Sequence, residues 1–521
     1  MINRFRNWVR WVGEGKLGGV SASLALAALY ALVQICVLTL VARLTGTATS
    51  IDDAEQLIYV PHLWAGYGGS QPPLFTWIFW GLAQLLGPNL LTLKILKYAI
   101  LFLAFFAVHR ALVLLGFSLL TASAGALGMM TMPQFFWESQ HTLTHSVAAF
   151  GFSALAVLAL VNLLQRKTTL SYVLFGAAAG LAMLSKFNDA IFIAALVIAA
   201  ISLPALRPAI LSRRIFLSLA AVLVMLTPTM VWSISNMDAV LARTRKLGIV
   251  STGSFLDIRL AGLGSLGESI VNFTVVTIII AAVAFAMERC NPFRPVREST
   301  TNSALVGRII LVSLAIVVAL MMISGTTKVP DRWLTPFLFL LPAWIAIRAE
   351  RLGPVGGKVQ VHFLASAILV AMLVMPVTWY KQAIGGSGKS RSARMDHAFL
   401  LKGLEKEGPV RTIIGYSSWI GNFRLVDPSL VLLNEEVPDF SRRVEEPAVA
   451  TWLNQPCPPP HIWYPLRDVG YRFADRVSYV DVPESFGGTR RVFYVRLVKE
   501  GDPSIPPNGR LCSEWWLQPR R

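Results

Sequence analysis

Apolar stretches of about twenty residues, nearly free of charge, recur along this chain, and that is the length a helix needs to cross the hydrocarbon of a bilayer. The first covers residues 20–42 and follows a basic segment, Arg4 to Lys16. Apolar residues make up 55% of the 521-residue chain and charged residues only 15%; its mean hydropathy is +0.58. A water-soluble protein of this length carries more charge, so the chain reads as a multi-pass membrane protein rather than a string of soluble domains. The opening segment interleaves Arg and Lys with Phe5, Trp8, Val9, Trp11 and Val12. It reads as an interfacial helix on the cytoplasmic surface rather than a cleavable signal.

The net charge of +18 fits either nucleic-acid binding or membrane orientation. The basic residues sit beside the apolar blocks, as Arg207, Arg213 and Arg214 do. That is the positive-inside pattern, and no nucleic-acid partner is expected. With the N-terminus in the cytoplasm, spans are expected at 20–42, 90–115, 118–133, 145–164, 170–185, 190–206, 215–234, 269–287, 306–324, 334–347 and 361–379, about eleven in all. The stretch 74–86 follows Pro72-Pro73 and is too short to cross, so it reads as a surface helix. Counting it as a span would turn every later basic cluster outward. This threading places Asp52, Asp53, Glu55, Glu138, Asp189 and Asp331 outside.

The expected fold class is therefore a polytopic α-helical membrane protein with a small C-terminal α/β domain on the periplasmic side of a bacterial inner membrane. Its parts are a cytoplasmic interfacial segment (1–19), a transmembrane domain (20–384) with a first external loop (43–89), and the C-terminal domain (385–521). Strands are expected at 410–416, 430–433, 461–464 and 492–498, and a helix at 393–406. Cys457 and Cys512 share this last domain, leaving both a disulfide and two free thiols open.

A cluster of carboxylates opens the first external loop: Asp52, Asp53 and Glu55, before the amphipathic run Leu57, Ile58, Tyr59, Leu63 and Trp64. Asp52 and Glu55 have the spacing of a helix capping box. A carboxylate held there can also serve as a general base, if it reaches an acceptor proton directly or through one water. A phosphate leaving group needs cations. Lys94, Lys186, Lys328, Arg332 and the group Arg243, Arg245 and Lys246 fall at outer span ends or in outer loops, although each can also snorkel to lipid headgroups. His141 and His145 are spaced i, i+4; two ligands do not make a metal site, so no metal or other cofactor is assigned. No phosphate-binding loop, dinucleotide motif or internal repeat is present.

The run Asp52-Asp53-Ala54-Glu55, then Leu63, Gly66-Tyr67, Pro72-Pro73-Leu74 and Trp77 resembles the bacterial dolichyl-phosphate-mannose-protein mannosyltransferase-like family. That family has the GT-C fold and includes lipid A aminoarabinose transferases and rhizobial galacturonic acid transferases. The motifs run from the first span to about the tenth, roughly two-thirds of the chain, and the C-terminal domain adds none. By this resemblance the chain is expected to be an inverting glycosyltransferase. It would move a sugar from a polyprenyl-phosphate donor to a lipopolysaccharide, polysaccharide, other glycolipid or protein acceptor. Asp52 would be the catalytic carboxylate, with Asp53 in place of the family's Glu. Lys94, Lys186 and Arg332 would bind the donor phosphate, and Glu55, Tyr67, Gln71, His145 and Lys328 would line the substrate site. Gln71 and His145 depart from the usual Lys or His and Asp. The rival readings are a transporter or lipid flippase, which would carry charges at the midplane, and a non-catalytic assembly protein.

Sidedness can be checked directly. In a cysteine-free background, a cysteine at position 62 or 331 is expected to react with an impermeant maleimide added outside the inner membrane. One at position 166 should react only after that membrane is opened.

Overall fold

A computed structural model describes residues 2–49, 51–68, 72–141, 143–242, 248–249, 254–291, 301–386, 388–473 and 477–498. The described chain is mostly helical. Among the described residues, seven helices are long and apolar enough to cross a membrane: Ala22–Thr45, Leu90–Leu114, His145–Arg166, Ile215–Ser235, Phe255–Met287, Thr301–Ser324 and Pro354–Ala383. Shorter apolar helices occupy Leu74–Leu86, Leu119–Thr131, Thr169–Ser185 and Asp189–Ile201. This is a multi-pass membrane protein. Ile215–Ser235 leaves Phe216, Val224, Val231 and Ile234 exposed, an apolar face that water would penalise and lipid accepts.

The chain divides into two compact units, each discontinuous in sequence. One comprises Met1–Ile35, Gly69–Phe75 and Lys97–Val377; the other comprises Cys36–Gly68, Thr76–Leu96 and Thr378–Arg521. In the first, the opening helix Ile2–Glu14 buries Val9 and Val12 while Phe5, Trp8 and Trp11 stay exposed. Several sequence expectations are revised here. Residues 255–268, expected as loop, are the start of the helix Phe255–Met287. The block 118–133 is regular only over Leu119–Leu127, tightens to a 3₁₀ turn at Gly128–Thr131 and widens to a π-helix at Gln134–Glu138. Pro133, without an N–H, sits at that change of pitch. The block 334–347 separates into Thr335–Leu338 and Leu341–Glu350, each with Pro in its first turn.

In the second unit, Thr412–Ile414 pairs in parallel with Val431–Leu433 on one side and with Ala448–Leu453 on the other. Ala448–Leu453 then pairs antiparallel with Thr489–Val498, which also carries Ser478–Pro483 and Arg472–Phe473. Residues 461–464, expected as strand, lie in the helix Pro460–Arg467. Three successive prolines end at its first position, where proline's fixed φ favours a helix and its missing N–H is harmless; Ile462, Trp463 and Leu466 form its buried face. Cys457 is disulfide-bonded, and Cys512 lies outside the described residues. The core of this unit holds Trp419, Trp452 and Trp463, and it also takes in Ile58, Tyr59 and Tyr67 from the first loop. Gly68 has φ 51°, and a Cβ there would lie 2.0 Å from the Glu436 carbonyl oxygen, so only glycine lets the loop pass.

His397 opens the helix His397–Leu404, capped by the Asp396 carboxylate, which accepts from the Phe399 N–H at 2.9 Å. Its ring lies against Trp419 and edge-on to Phe423. Burial lowers its pKa to about 4, against weaker upward pulls from the Met395 backbone, Asp396 and the Trp419 backbone. The folded protein thus keeps this ring neutral where the unfolded chain takes up a proton. The stability it protects is complete above pH 6.5 and is lost as pH falls from there towards 4, by about 2 kcal/mol at pH 5. Thermal midpoints of the detergent-purified protein at pH 7 and pH 5 should differ accordingly, and His397→Phe should shrink the difference.

Candidate active site

The helix Asp52–Tyr59 carries three carboxylates in its first turn. The capping box expected from Asp52 and Glu55 is not formed. Ile51 occupies the cap position at φ 52°, ψ −122° with no side-chain cap bond, and Asp52 is the first helical residue. Those angles belong to the first central position of a type II′ turn, which glycine favours. A β-branched residue held there stores about 1–3 kcal/mol of strain, a feature that clusters at functional sites.

The surroundings hold this turn from the segment Ser417–Leu425. The Ile51 N–H donates to the Ser418 carbonyl at 3.1 Å. Asn422 is fully buried. Its Oδ1 accepts from the Thr49 N–H at 3.1 Å and its Nδ2 donates to the Thr49 carbonyl at 2.8 Å. Further along, Arg424 Nε donates to the Leu57 carbonyl at 3.3 Å. A Cβ on Gly421 would lie 1.8 Å from the Ala54 carbonyl oxygen, so main chain rests directly on main chain.

Asp53 and Lys94 form an ion pair of 3.3 Å, their side chains only 2% and 4% exposed. Lys94 sits in the first turns of Leu90–Leu114, whose start is held by Asn89 Oδ1 accepting from the Thr92 N–H at 3.0 Å. Two charges withdrawn from water persist only when paired. Asp52 beside them is half-buried and Glu55 is buried. Gln56 Oε1 accepts from the Thr76 hydroxyl at 2.7 Å, tying this helix to Leu74–Leu86. The Tyr67 hydroxyl donates to the His62 carbonyl and accepts from the Trp64 N–H at 3.0 Å. Burial pushes its pKa up to about 12, against the Trp64 backbone bond; the phenol serves the loop's own backbone. His62 stacks on Trp64, and the Arg443 guanidinium lies 4.5 Å from the Trp64 ring centroid. Burial, then Arg443 and Arg424, hold the His62 pKa below its ordinary value.

A second cluster belongs to the first unit. Lys186 follows the last turn of Thr169–Ser185 in extended conformation. Its ammonium donates to the Ser146 hydroxyl at 3.1 Å and to the Arg332 carbonyl at 2.6 Å. Asn188 donates to the Trp333 carbonyl at 2.7 Å, and Gln134 donates to Asp331 Oδ2 at 2.7 Å. Asp189 is fully buried and accepts from the Ser153 hydroxyl. Lys186 and Arg332 are thus brought to one place, with the Arg332 side chain exposed. His145 is buried at the start of His145–Arg166, beside Ser146. Lys328 is exposed on the same loop as Arg332.

Lys94 pairs with Asp53 within the second unit. Gln71, Arg243, Arg245 and Lys246 lie outside the described residues. His141 ends the short helix Ser139–His141 and His145 begins another, so the i, i+4 pair does not share a helix face. Among the described residues no group of three or more His, Cys, Asp or Glu can hold a metal ion. Asn422, Gln134 and Asn188 were not singled out by sequence. The π-helix that aims Gln134 has only Pro133 as a signal, and Asn422 has none.

A family model described as dolichyl-phosphate-mannose-protein mannosyltransferase matches residues 70–232. The lipopolysaccharide core galacturonosyltransferase RgtB of Rhizobium johnstonii is 30% identical over 489 residues, covering 91% of this chain and 96% of the relative. RgtA of the same organism, also a lipopolysaccharide core galacturonosyltransferase, is 26% identical over 93% of this chain and 94% of its own. These matches reach beyond the two-thirds spanned by the motifs. In fold, the chain is similar to ArnT from Cupriavidus metallidurans in its crystal structure bound to undecaprenyl phosphate. That match has a TM-score of 0.56 and 13% identity, over 92% of this chain and 99% of ArnT. Fold and relatives together define a multi-pass membrane glycosyltransferase. The chain belongs to the bacterial dolichyl-phosphate-mannose-protein mannosyltransferase-like family, with the GT-C fold.

Lys94→Met removes the countercharge against which Asp53 is buried, and should destabilise the protein by about 3–5 kcal/mol. Asp53→Asn together with Lys94→Met should recover much of the thermal midpoint and membrane level while transfer stays low.

Proposed function

We propose that this enzyme transfers a sugar from a polyprenyl-phosphate monosaccharide to a lipopolysaccharide or related envelope glycan at the periplasmic face of the inner membrane, with inversion. The observation that carries this is the buried Asp53–Lys94 pair beside half-buried Asp52, in a chain similar over nine-tenths of its length to lipopolysaccharide core galacturonosyltransferases. Asp52 accepts the proton of the acceptor hydroxyl as that oxygen bonds to the anomeric carbon. The bond from that carbon to the phosphate oxygen breaks, and the polyprenyl phosphate leaves with one more negative charge. Cations placed for the developing charge supply most of such a rate enhancement, and Lys186 and Arg332 are assigned that role. Lys94, paired with Asp53, holds the carboxylate pair in register. Glu55, Gln71, His145 and Lys328 remain assigned to substrate contacts, and Tyr67 shapes the loop.

A predominantly apolar cavity of about 170 Å³ in the first unit supports a lipid donor. It is lined by residues including Leu26, Tyr30, Phe105, Met130, Ile368 and Met372. The Tyr30 hydroxyl donates to Gln140 Oε1 and accepts from Gln34 Nε2, both at 3.1 Å. ArnT, similar in fold, has been crystallised with undecaprenyl phosphate. The threading consistent with a periplasmic site has the N-terminus in the cytoplasm and about eleven crossings, with Leu74–Leu86 on the surface rather than across the membrane. The relatives make galacturonic acid the first sugar to test.

A deletion strain should yield a glycan short of one residue, with the sugar-charged lipid carrier accumulating, both read by mass spectrometry. Asp52→Asn should fail to complement at unchanged membrane level; full complementation discards the assignment. Lys186→Ala and Arg332→Ala should each reduce transfer by about tenfold or more.

A further inference from the structure

We propose that Asn422 is a positioning residue for the carboxylate pair, holding the strained turn at Ile51 that aims Asp52 and Asp53; the proposal rests on the assignment of Asp52 made above. The amide of Asn422 meets both backbone groups of a single residue, Thr49, at 3.1 and 2.8 Å, as a neighbouring strand would. Two residues on, the Ile51 N–H meets the Ser418 carbonyl at 3.1 Å. Gly421 then lets the Ala54 carbonyl rest on the main chain itself. Three contacts from one short segment therefore fix the backbone on both sides of Ile51, whose φ of 52° a β-branched residue does not adopt unaided.

Free of the clamp, Ile51 returns to negative φ and turns the first helical residues, Asp52 and Asp53, out of place. A misplacement of about 1 Å can reduce turnover about a hundredfold. The clamp opposes a preference of isoleucine that glycine lacks. Replacing Ile51 by glycine should therefore make Asn422 less needed. A residue that merely packs would be no less needed with glycine at position 51.

The test is a double-mutant cycle on the full-length detergent-purified enzyme. The lipid extract of a deletion strain is the donor and its lipopolysaccharide the acceptor, with rates normalised to folded, monodisperse protein. Asn422→Ala is expected to lower kcat about tenfold or more at unchanged donor KM in the native background, and less than about threefold in the Ile51→Gly background. Asn422→Ser, which keeps a hydroxyl in the gap, is the second variant should the alanine fail to fold, and its loss should likewise shrink with glycine at 51. Equal losses in both backgrounds, or no loss of kcat per folded enzyme, overturn the proposal. Asp52→Asn, assayed alongside, separates the two readings. If it is active, the catalytic assignment fails whatever Asn422 does; if it is inactive while the cycle shows no coupling, the clamp alone fails.

Discussion

Two opposite charges lie out of water at the start of the Asp52–Tyr59 helix, and the arrangement of the second unit follows from keeping them together. A buried carboxylate and ammonium 3.3 Å apart tolerate little displacement, because losing the partner leaves a charge that neither lipid nor protein interior solvates. Lys94 is delivered by a helix whose start is capped by Asn89. Asp53 is delivered by a helix that rests on the Ser417–Leu425 segment, main chain against main chain. The aromatic knot of His62, Trp64 and Tyr67 closes the loop after it, with Ile58, Tyr59 and Tyr67 inside the core of the C-terminal sheet.

The cationic cluster of the first unit is built differently. Its residues sit where helices stop: Lys186 just past one helix, His145 and Asp189 at the first positions of two others, Gln134 on a π-turn. Helix ends have unsatisfied backbone groups, and here the side chains of Lys186 and Asn188 satisfy the carbonyls of Arg332 and Trp333. The loop that carries Arg332 and Trp333 is thereby stitched to the ends of these helices.

The membrane-spanning blocks were legible in the sequence because lipid demands an apolar surface all round a helix, which no other context imposes over such lengths. The carboxylate cluster was legible because Asp52, Asp53 and Glu55 stand together at the foot of such a block. Helix type within a block was less so. The periodicity of 118–133 is apolar throughout, and only Pro133 marks where the pitch changes. In the C-terminal region the run 461–464 has strand-like aromatics, but the preceding prolines decide for a helix. The role of Asn422 was not legible at all. An isolated Asn has no spacing to read, and its partner is a backbone, which carries no sequence signature.

The distance along the chain between Asn422 and Thr49, 373 residues, bears on how the enzyme comes to life. At about 5–20 residues per second, the segment that seats the Asp52–Tyr59 helix leaves the ribosome tens of seconds after the helix itself. Through that interval the early loop lacks the segment that holds Thr49, Ile51 and Ala54. A nascent or prematurely terminated chain can contain Asp52, Lys94 and Lys186 and still lack the segment that seats the carboxylate helix. The seat of the early helix is therefore a late product of the same chain.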